Sequence, residues 1–241
     1  MTRQDIRFAS CSDCPIQHRA VCARCDADEL AMLERIKSYR TLPAGAVIVR
    51  AGDEMQALSS LVTGCATVSM MLEDGRVQMV GLLLPSDFIG RPGRATAPYD
   101  VTAVSEVTLC TFRRAPFERL IAETPHIGQR LLEMTLDELD AAREWMLLLG
   151  RKTAREKIAS LLVILAQRLS EGPGEIRFDL PLTREAMASY LGLTLETVSR
   201  QISALRRDGL IVQEGRRGLR IPDLDRLMTL TGDDADGGPL A

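Results

Sequence analysis

The sequence predicts an α+β fold in which a β-roll of jelly-roll type precedes a long helix and a small helical domain closed by a β-hairpin. Three observations carry this. Short β-branched runs between Thr41 and Phe112 are punctuated by Gly, Pro and Asp, as expected of many short strands. From Pro125 to Leu149 apolar residues recur at three- and four-residue spacing, which marks one amphipathic helix. Between Thr183 and Leu210 two short helical patterns, each opened by a threonine, flank Gly192.

Residues 1–27 hold four of the six cysteines and little periodicity, so they read as a loop-like tether. A β-roll is expected over residues 28–124. It opens with a short helix at Asp28–Arg40 and continues in strands at Ala46–Val49, Leu61–Val68, Gln78–Leu84, Val101–Val104 and Val107–Phe112. Asp74 and Gly75 between two runs predict a tight hairpin, because the turn needs a positive φ that Gly adopts at no steric cost. The long helix occupies 125–150, with Gly150 ending or bending it. Its stripe of Ile127, Leu131, Met134, Leu139, Met146 and Leu149 predicts a dimer seam. Asp137, Glu138 and Asp140 in the middle predict that this seam is weak, since like charges from two chains would approach there. Residues 151–230 make the C-terminal domain, starting with a helix at Lys152–Leu169 that Gly172 to Gly174 stop. The polar, Gly-rich residues 231–241 predict a disordered tail.

With 26% charged and 46% hydrophobic residues, the composition is that of a globular protein rather than a disordered or fibrous one. No apolar run approaches the ~20 residues that a bilayer span needs, and Met1 to Arg7 lacks the apolar segment of a secretory signal. A cytoplasmic protein is expected, in which clustered cysteines suggest metal more than disulfides. The net charge of −3 hides an asymmetry. Arg151–Arg220 carries 13 Lys/Arg against 8 Asp/Glu, and the remainder 17 against 25. A basic C-terminal third beside an acidic remainder points to a face for phosphates.

The stretch Thr183–Leu210 supplies the chemistry. Thr183 can cap a first helix with Ala186, Met187, Tyr190 and Leu191 on its inner face. Gly192 permits a tight turn, Thr194 caps a second helix, and Val198, Ile202 and Leu205 face inward. Glu196, Thr197, Ser199, Arg200 and Gln201 then stand exposed near the start of that helix, where side chains reach base edges in a major groove. Arg can pair with guanine O6 and N7, and Glu can accept from the cytosine amino group. Val212–Ile221 reads as a β-hairpin wing presenting Arg216 and Arg217 to phosphates.

In the tether, Cys11-x-x-Cys14-x7-Cys22-x-x-Cys25 could hold one tetrahedral zinc or ligate an iron–sulfur cluster, and spacing alone slightly favours zinc. Cys110 stands near the end of the last strand, just before the long helix. Cys65, after Gly64 in a strand, reads as a small buried apolar residue, His18 as a solvated loop residue, and His126 as a helix-start residue.

These elements, in this order, resemble the CRP/FNR superfamily of bacterial regulators over nearly the whole chain. The resemblance implies a cyclic-nucleotide-binding-like β-roll joined by a dimerisation helix to a winged helix-turn-helix. Glu196-x-x-Ser199-Arg200 is similar to the FNR branch, within it the oxygen-responsive FnrL/FnrN-like group. It implies a transcription regulator, not an enzyme, whose partners are double-stranded DNA, a second copy of the chain and RNA polymerase. The target would be a TTGAT–ATCAA palindrome read by Glu196, Ser199 and Arg200. It also implies a [4Fe–4S] cluster on Cys11, Cys14, Cys22 and Cys110, with Cys25 as the alternative third tether ligand. Where cyclic-nucleotide-binding relatives hold a ribose with Glu and a phosphate with an Arg-Ser pair, this chain has Arg91 and no such pair before Thr102. A cyclic nucleotide is therefore not expected. A redox enzyme is disfavoured: there is no second cluster motif or nucleotide fingerprint, and His18 and His126 are the only histidines.

Overall fold

The computed structural model describes residues 10–170 and 176–233. Contacts divide the chain into two compact units, residues 1–136 and 137–241, with the boundary inside one long helix. Among the described residues no helix is long and apolar enough to cross a membrane.

The first unit begins with turns over residues 10–25 and helix α1 (Ala27–Ile36). Asp26 and Glu29 form a capping box at the start of α1. Strands β1 (Lys37–Leu42), β2 (Val47–Val49), β3 (Ala57–Thr63), β4 (Ala66–Met71), β5 (Val77–Leu83), β6 (Phe88–Ile89), β7 (Asp100–Ala103) and β8 (Val107–Arg113) follow. They pair antiparallel in two sheets, β1-β8-β3-β6 and β2-β7-β4-β5. Val107 and Leu109 of β8 join Leu61, Val101 and Ala103 in one core. Cys110 and Phe112 belong instead to a second core, with residues of the tether, α1 and the next helices. Both faces of β8 are covered, and that is why its sequence shows no polar alternation.

Three local expectations change. The expected helix over Asp28–Arg40 stops at Ile36, because Lys37–Leu42 pairs with β8 along its whole length. The expected strand Leu61–Val68 is two strands: at Gly64, φ is +85° and a Cβ would lie 2.1 Å from the Glu106 carbonyl oxygen, so the chain turns there. Gly150 does not end the long helix, which runs to Arg151. The expected hairpin at Asp74 and Gly75 forms, with the Asp74 carboxylate accepting from the Arg76 amide at 3.1 Å.

Helix α2 (Arg114–Glu123) and helix α3 (Pro125–Arg151) follow β8. The apolar stripe expected on α3 is covered in its first half and exposed at Leu139 and Met146. Ile127 is fully buried, and Leu131 and Met134 pack on the core that holds the tether. The exposed apolar stripe is Leu132, Leu136, Leu139 and Met146, from 46% to 66% exposed, and 132, 139 and 146 keep a seven-residue repeat. Asp140 pairs with Arg143 at 2.8 Å rather than standing as an uncompensated acid.

In the second unit, Trp145 of α3 stacks on Tyr190 with ring centroids 3.9 Å apart. Helix α4 (Ala154–Leu169) starts from a Thr153–Glu156 capping box. Then come β9 (Ile176–Asp179), α5 (Arg184–Leu191), α6 (Leu195–Arg207), β10 (Val212–Glu214), β11 (Gly218–Ile221) and α7 (Leu224–Met228). The three strands form one sheet in the order β10-β11-β9. Lys157 is buried, and its Nζ donates to the carbonyls of Leu149 at 3.1 Å and Leu191 at 3.2 Å. One ammonium thus satisfies carbonyls at the C-terminal ends of α3 and α5. The expected tail does not begin at 231, since Thr231 is buried and Asp233 pairs with Lys152 at 2.6 Å. The expected helix stop at Gly172 to Gly174 and the tail from residue 234 lie outside the described residues.

Candidate functional site

Two sites emerge, one in each unit. The first is a thiol pocket. Its floor is one face of the β1-β8-β3 sheet, where the register aligns Tyr39, Cys110 and Ser60 on one rung and Lys37, Phe112 and Leu58 on the next-but-one. Its roof is the turn-rich segment over residues 10–25. Ile16, Ala20 and Val21 anchor this segment in the core, and backbone bonds such as Ala20 N to Ile16 O at 2.8 Å hold its turns. A small apolar-walled cavity lies between floor and roof, lined by Cys11, Cys14, Cys22 and Cys110 together with Tyr39 and Ser60. Cys25 packs on the same core but does not line the cavity. Cys65 is buried in the β3–β4 turn, apart from this group. His18 is exposed.

Burial dominates the electrostatics of the pocket. It pushes the Cys22 thiol up to about 12, and Cys11 and Cys14 add to the effect. Burial also pushes Cys110 well up, with Cys11, Cys14 and Cys22 contributing. Cys11 is raised by burial as well, although Lys37 works against it by donating from Nζ to Sγ at 3.2 Å. All three are protonated at neutral pH, so a metal group bound there displaces protons. Ser60 is 2% exposed and its Oγ has no hydrogen-bond partner. Soft sulfur donors, one adjacent ammonium and an unpaired hydroxyl suit a thiolate-held metal group. Lys37, Tyr39 and Ser60 did not stand out in the sequence, because they meet the cysteines only through strand pairing.

The tether is strapped to α3. Arg24 pairs with Glu133 at 2.8 Å, and Arg130 donates to the Arg19 carbonyl at 2.7 Å. His126 is more than a helix-start residue: its Nδ1 lies 2.9 Å from Glu29 of α1. Asp26, Glu29 and His126 bring their ligand atoms within 4.8 Å of one another on the surface.

The second site is the reading head. Thr183 caps α5 by accepting from Ala186 N at 3.1 Å. Gly192 takes φ +62° and ψ +41°, and Thr194 caps α6 by accepting from Thr197 N at 3.2 Å. Val198, Ile202 and Leu205 are buried, which turns Glu196, Ser199 and Arg200 outward. Thr197 is only half-exposed, and its hydroxyl accepts from Thr194 Oγ1 at 2.9 Å. The exposed face continues through Ser203, Arg206 and Arg207, which the sequence reading passed over although they follow at helical spacing. Arg216 and Arg217 stand exposed at the β10–β11 turn.

Comparison with known proteins agrees with both halves. Residues 39–124 match the cyclic nucleotide-binding domain family and residues 156–230 the Crp-like helix-turn-helix domain family. The transcriptional activator protein FnrL of Cereibacter sphaeroides is 65% identical over 95% of this chain and 94% of its own length. The nitrogen fixation regulation protein FixK of Bradyrhizobium diazoefficiens is 38% identical over 83% of this chain and 85% of its own. The structure of FixK2 from Bradyrhizobium japonicum superposes with a TM-score of 0.75 at 30% identity, covering 83% of this chain and all of that one. The chain is a DNA-binding regulator rather than an enzyme, and it belongs to the CRP/FNR family of transcription regulators.

Proposed function

We propose that the chain is an oxygen-responsive transcriptional activator that holds a [4Fe–4S] cluster on Cys11, Cys14, Cys22 and Cys110 when oxygen is low. In that state it pairs as a homodimer and binds a TTGAT–ATCAA type palindrome to control anaerobic genes through RNA polymerase. The observation that carries this reading is the convergence of thiols from two distant segments, the tether and β8, on one cavity that also presents an unpaired hydroxyl. The lining favours Cys22 over Cys25 as the third tether ligand.

The origin of the thiols supports a cluster over the alternative of a structural zinc: the cavity takes Cys110 from β8 beside three tether cysteines, whereas a zinc on the two Cys-x-x-Cys pairs would use Cys25, which packs outside the lining. When bound, the cluster supplies an oxygen-sensitive centre that ties the tether to β8. The chain's own residues do the rest: the straps Arg24–Glu133 and Arg130–Arg19 carry the order of the tether to α3. The exposed Leu132, Leu136, Leu139 and Met146 give the seam for a second copy. A two-fold pair then places two α6 helices at half-sites about 10 base pairs apart. Glu196, Ser199 and Arg200 read bases, while Arg216 and Arg217 hold phosphates. Arg91, exposed where a ribose-binding Glu would be, supports a β-roll that takes no cyclic nucleotide.

Anaerobic purification followed by absorbance, iron and sulfide analysis tests the reading. A brown protein with equal iron and sulfide, bleaching in air, is expected. A colourless protein with stoichiometric zinc would establish the alternative, a regulator of the same family with another effector.

A further inference from the structure

Besides the four cysteines and Tyr39, the thiol pocket meets two further polar groups, Ser60 in its lining and Lys37 at Cys11. Ser60 sits in the central strand β3, directly across from Cys110 in β8, and its hydroxyl is buried without a partner in the wall of the cavity. Buried hydroxyls are rarely left unpaired, since desolvation is then uncompensated. Its strand neighbour Ser59 shows the usual solution, sharing a 3.0 Å hydrogen bond with Thr111. Lys37 is the second group. Its side chain is 9% exposed, and its Nζ lies 3.2 Å from Cys11 Sγ and 3.3 Å from Glu34. Both residues project from the same sheet face as Cys110, one on each side of it.

We propose that Ser60 and Lys37 are hydrogen-bond donors to the iron–sulfur group, Ser60 to its sulfur and Lys37 to the Cys11 thiolate, and that together they set how readily it gives up an electron. This rests on the cluster reading above. Four thiolates give such a group net negative charge, and the reduced form carries one negative charge more than the oxidised form. Donors and a cation in a dry pocket favour the more negative form. Removing either makes loss of an electron easier, whether to an electrode mediator or to dioxygen, which takes one electron and becomes superoxide. Ser60 and Lys37 are thus positioning residues that hold the group back from premature oxidation.

The test uses the full chain purified anaerobically, wild type beside Ser60→Ala, Lys37→Met and Lys37→Arg. Iron and sulfide analysis first establishes loading; a wild type without either overturns the cluster reading and this inference together. In loaded protein, Ser60→Ala and Lys37→Met should each lower the reduction midpoint by about 59 mV, the one-electron equivalent of a tenfold change for one charge-assisted hydrogen bond. Both should bleach faster in air, and Lys37→Arg should stay near wild type. A second readout separates this role from a structural one. Cluster-free Ser60→Ala should unfold at a higher denaturant concentration than wild type, because it loses an unpaired buried hydroxyl. A loaded variant with wild-type midpoint and bleaching rate removes that residue from the role. Ser60→Ala that destabilises the cluster-free chain would make Ser60 a structural residue instead.

Discussion

In the C-terminal unit the reading helix is complete as it stands. Thr194 caps its first turn, Gly192 sets the turn before it, Val198, Ile202 and Leu205 lock its inner face, and Lys157 ties off the end of α5. In the N-terminal unit the thiol pocket is built differently: Ser60 has an unpaired hydroxyl, burial raises the Cys22 and Cys110 thiols, and turns rather than helices form the roof. On the function proposed above, this difference puts the switch in the N-terminal unit. The reader's geometry need not change for its affinity to change, because the pairing of two readers decides binding to a palindrome.

Five substitutions break or sharpen that contrast. The largest effect belongs to Cys110→Ser, which should abolish the anaerobic chromophore and site-specific DNA binding while circular dichroism shows a folded chain. Cys65→Ser, buried away from the pocket, should keep both. Next, Ile202→Ala in the reader should cost about 2–5 kcal/mol in denaturant unfolding, as large-to-small core changes do, and the loss should be the same with and without iron. A loss that depended on iron would mean that the reader is finished by the sensor after all. Smaller still, Arg200→Ala should cost about 1–3 kcal/mol on the matched palindrome and relax preference at one base pair. The smallest is Arg216→Ala, which should weaken all sequences alike and reduce the salt slope by about one. Binding titrations at several salt concentrations separate the last two.

The same contrast explains what could be read from the chain. The reader was legible because its caps, its glycine and its apolar spacing all lie within Thr183–Leu210 and obey local rules. The pocket was legible only as cysteines. Tyr39 and Lys37 were hidden by reading Asp28–Arg40 as one helix, and nothing local shows that Tyr39 pairs with Cys110 across the sheet. Ser60 lies in the stretch before the strand expected from Leu61, and its lack of a partner is visible only in three dimensions. The stripe expected on α3 holds only in part, at Leu139 and Met146, for a related reason. A stripe reports that residues are apolar, not what covers them, and Ile127, Leu131 and Met134 are covered by the chain's own tether-side core. The base readers and the ligand set came from resemblance, since helical spacing gives exposure but not the partner.

The most direct measurement is the affinity of one sample for the palindrome and for an unrelated duplex, before and after exposure to air, with the absorbance spectrum recorded at each step. If the sensor alone is completed by its cluster, bleaching should collapse the preference for the palindrome, normally about 10³-fold or more for a specific binder, while unfolding of the reader is unchanged. Equal preference for the palindrome with and without iron would contradict it.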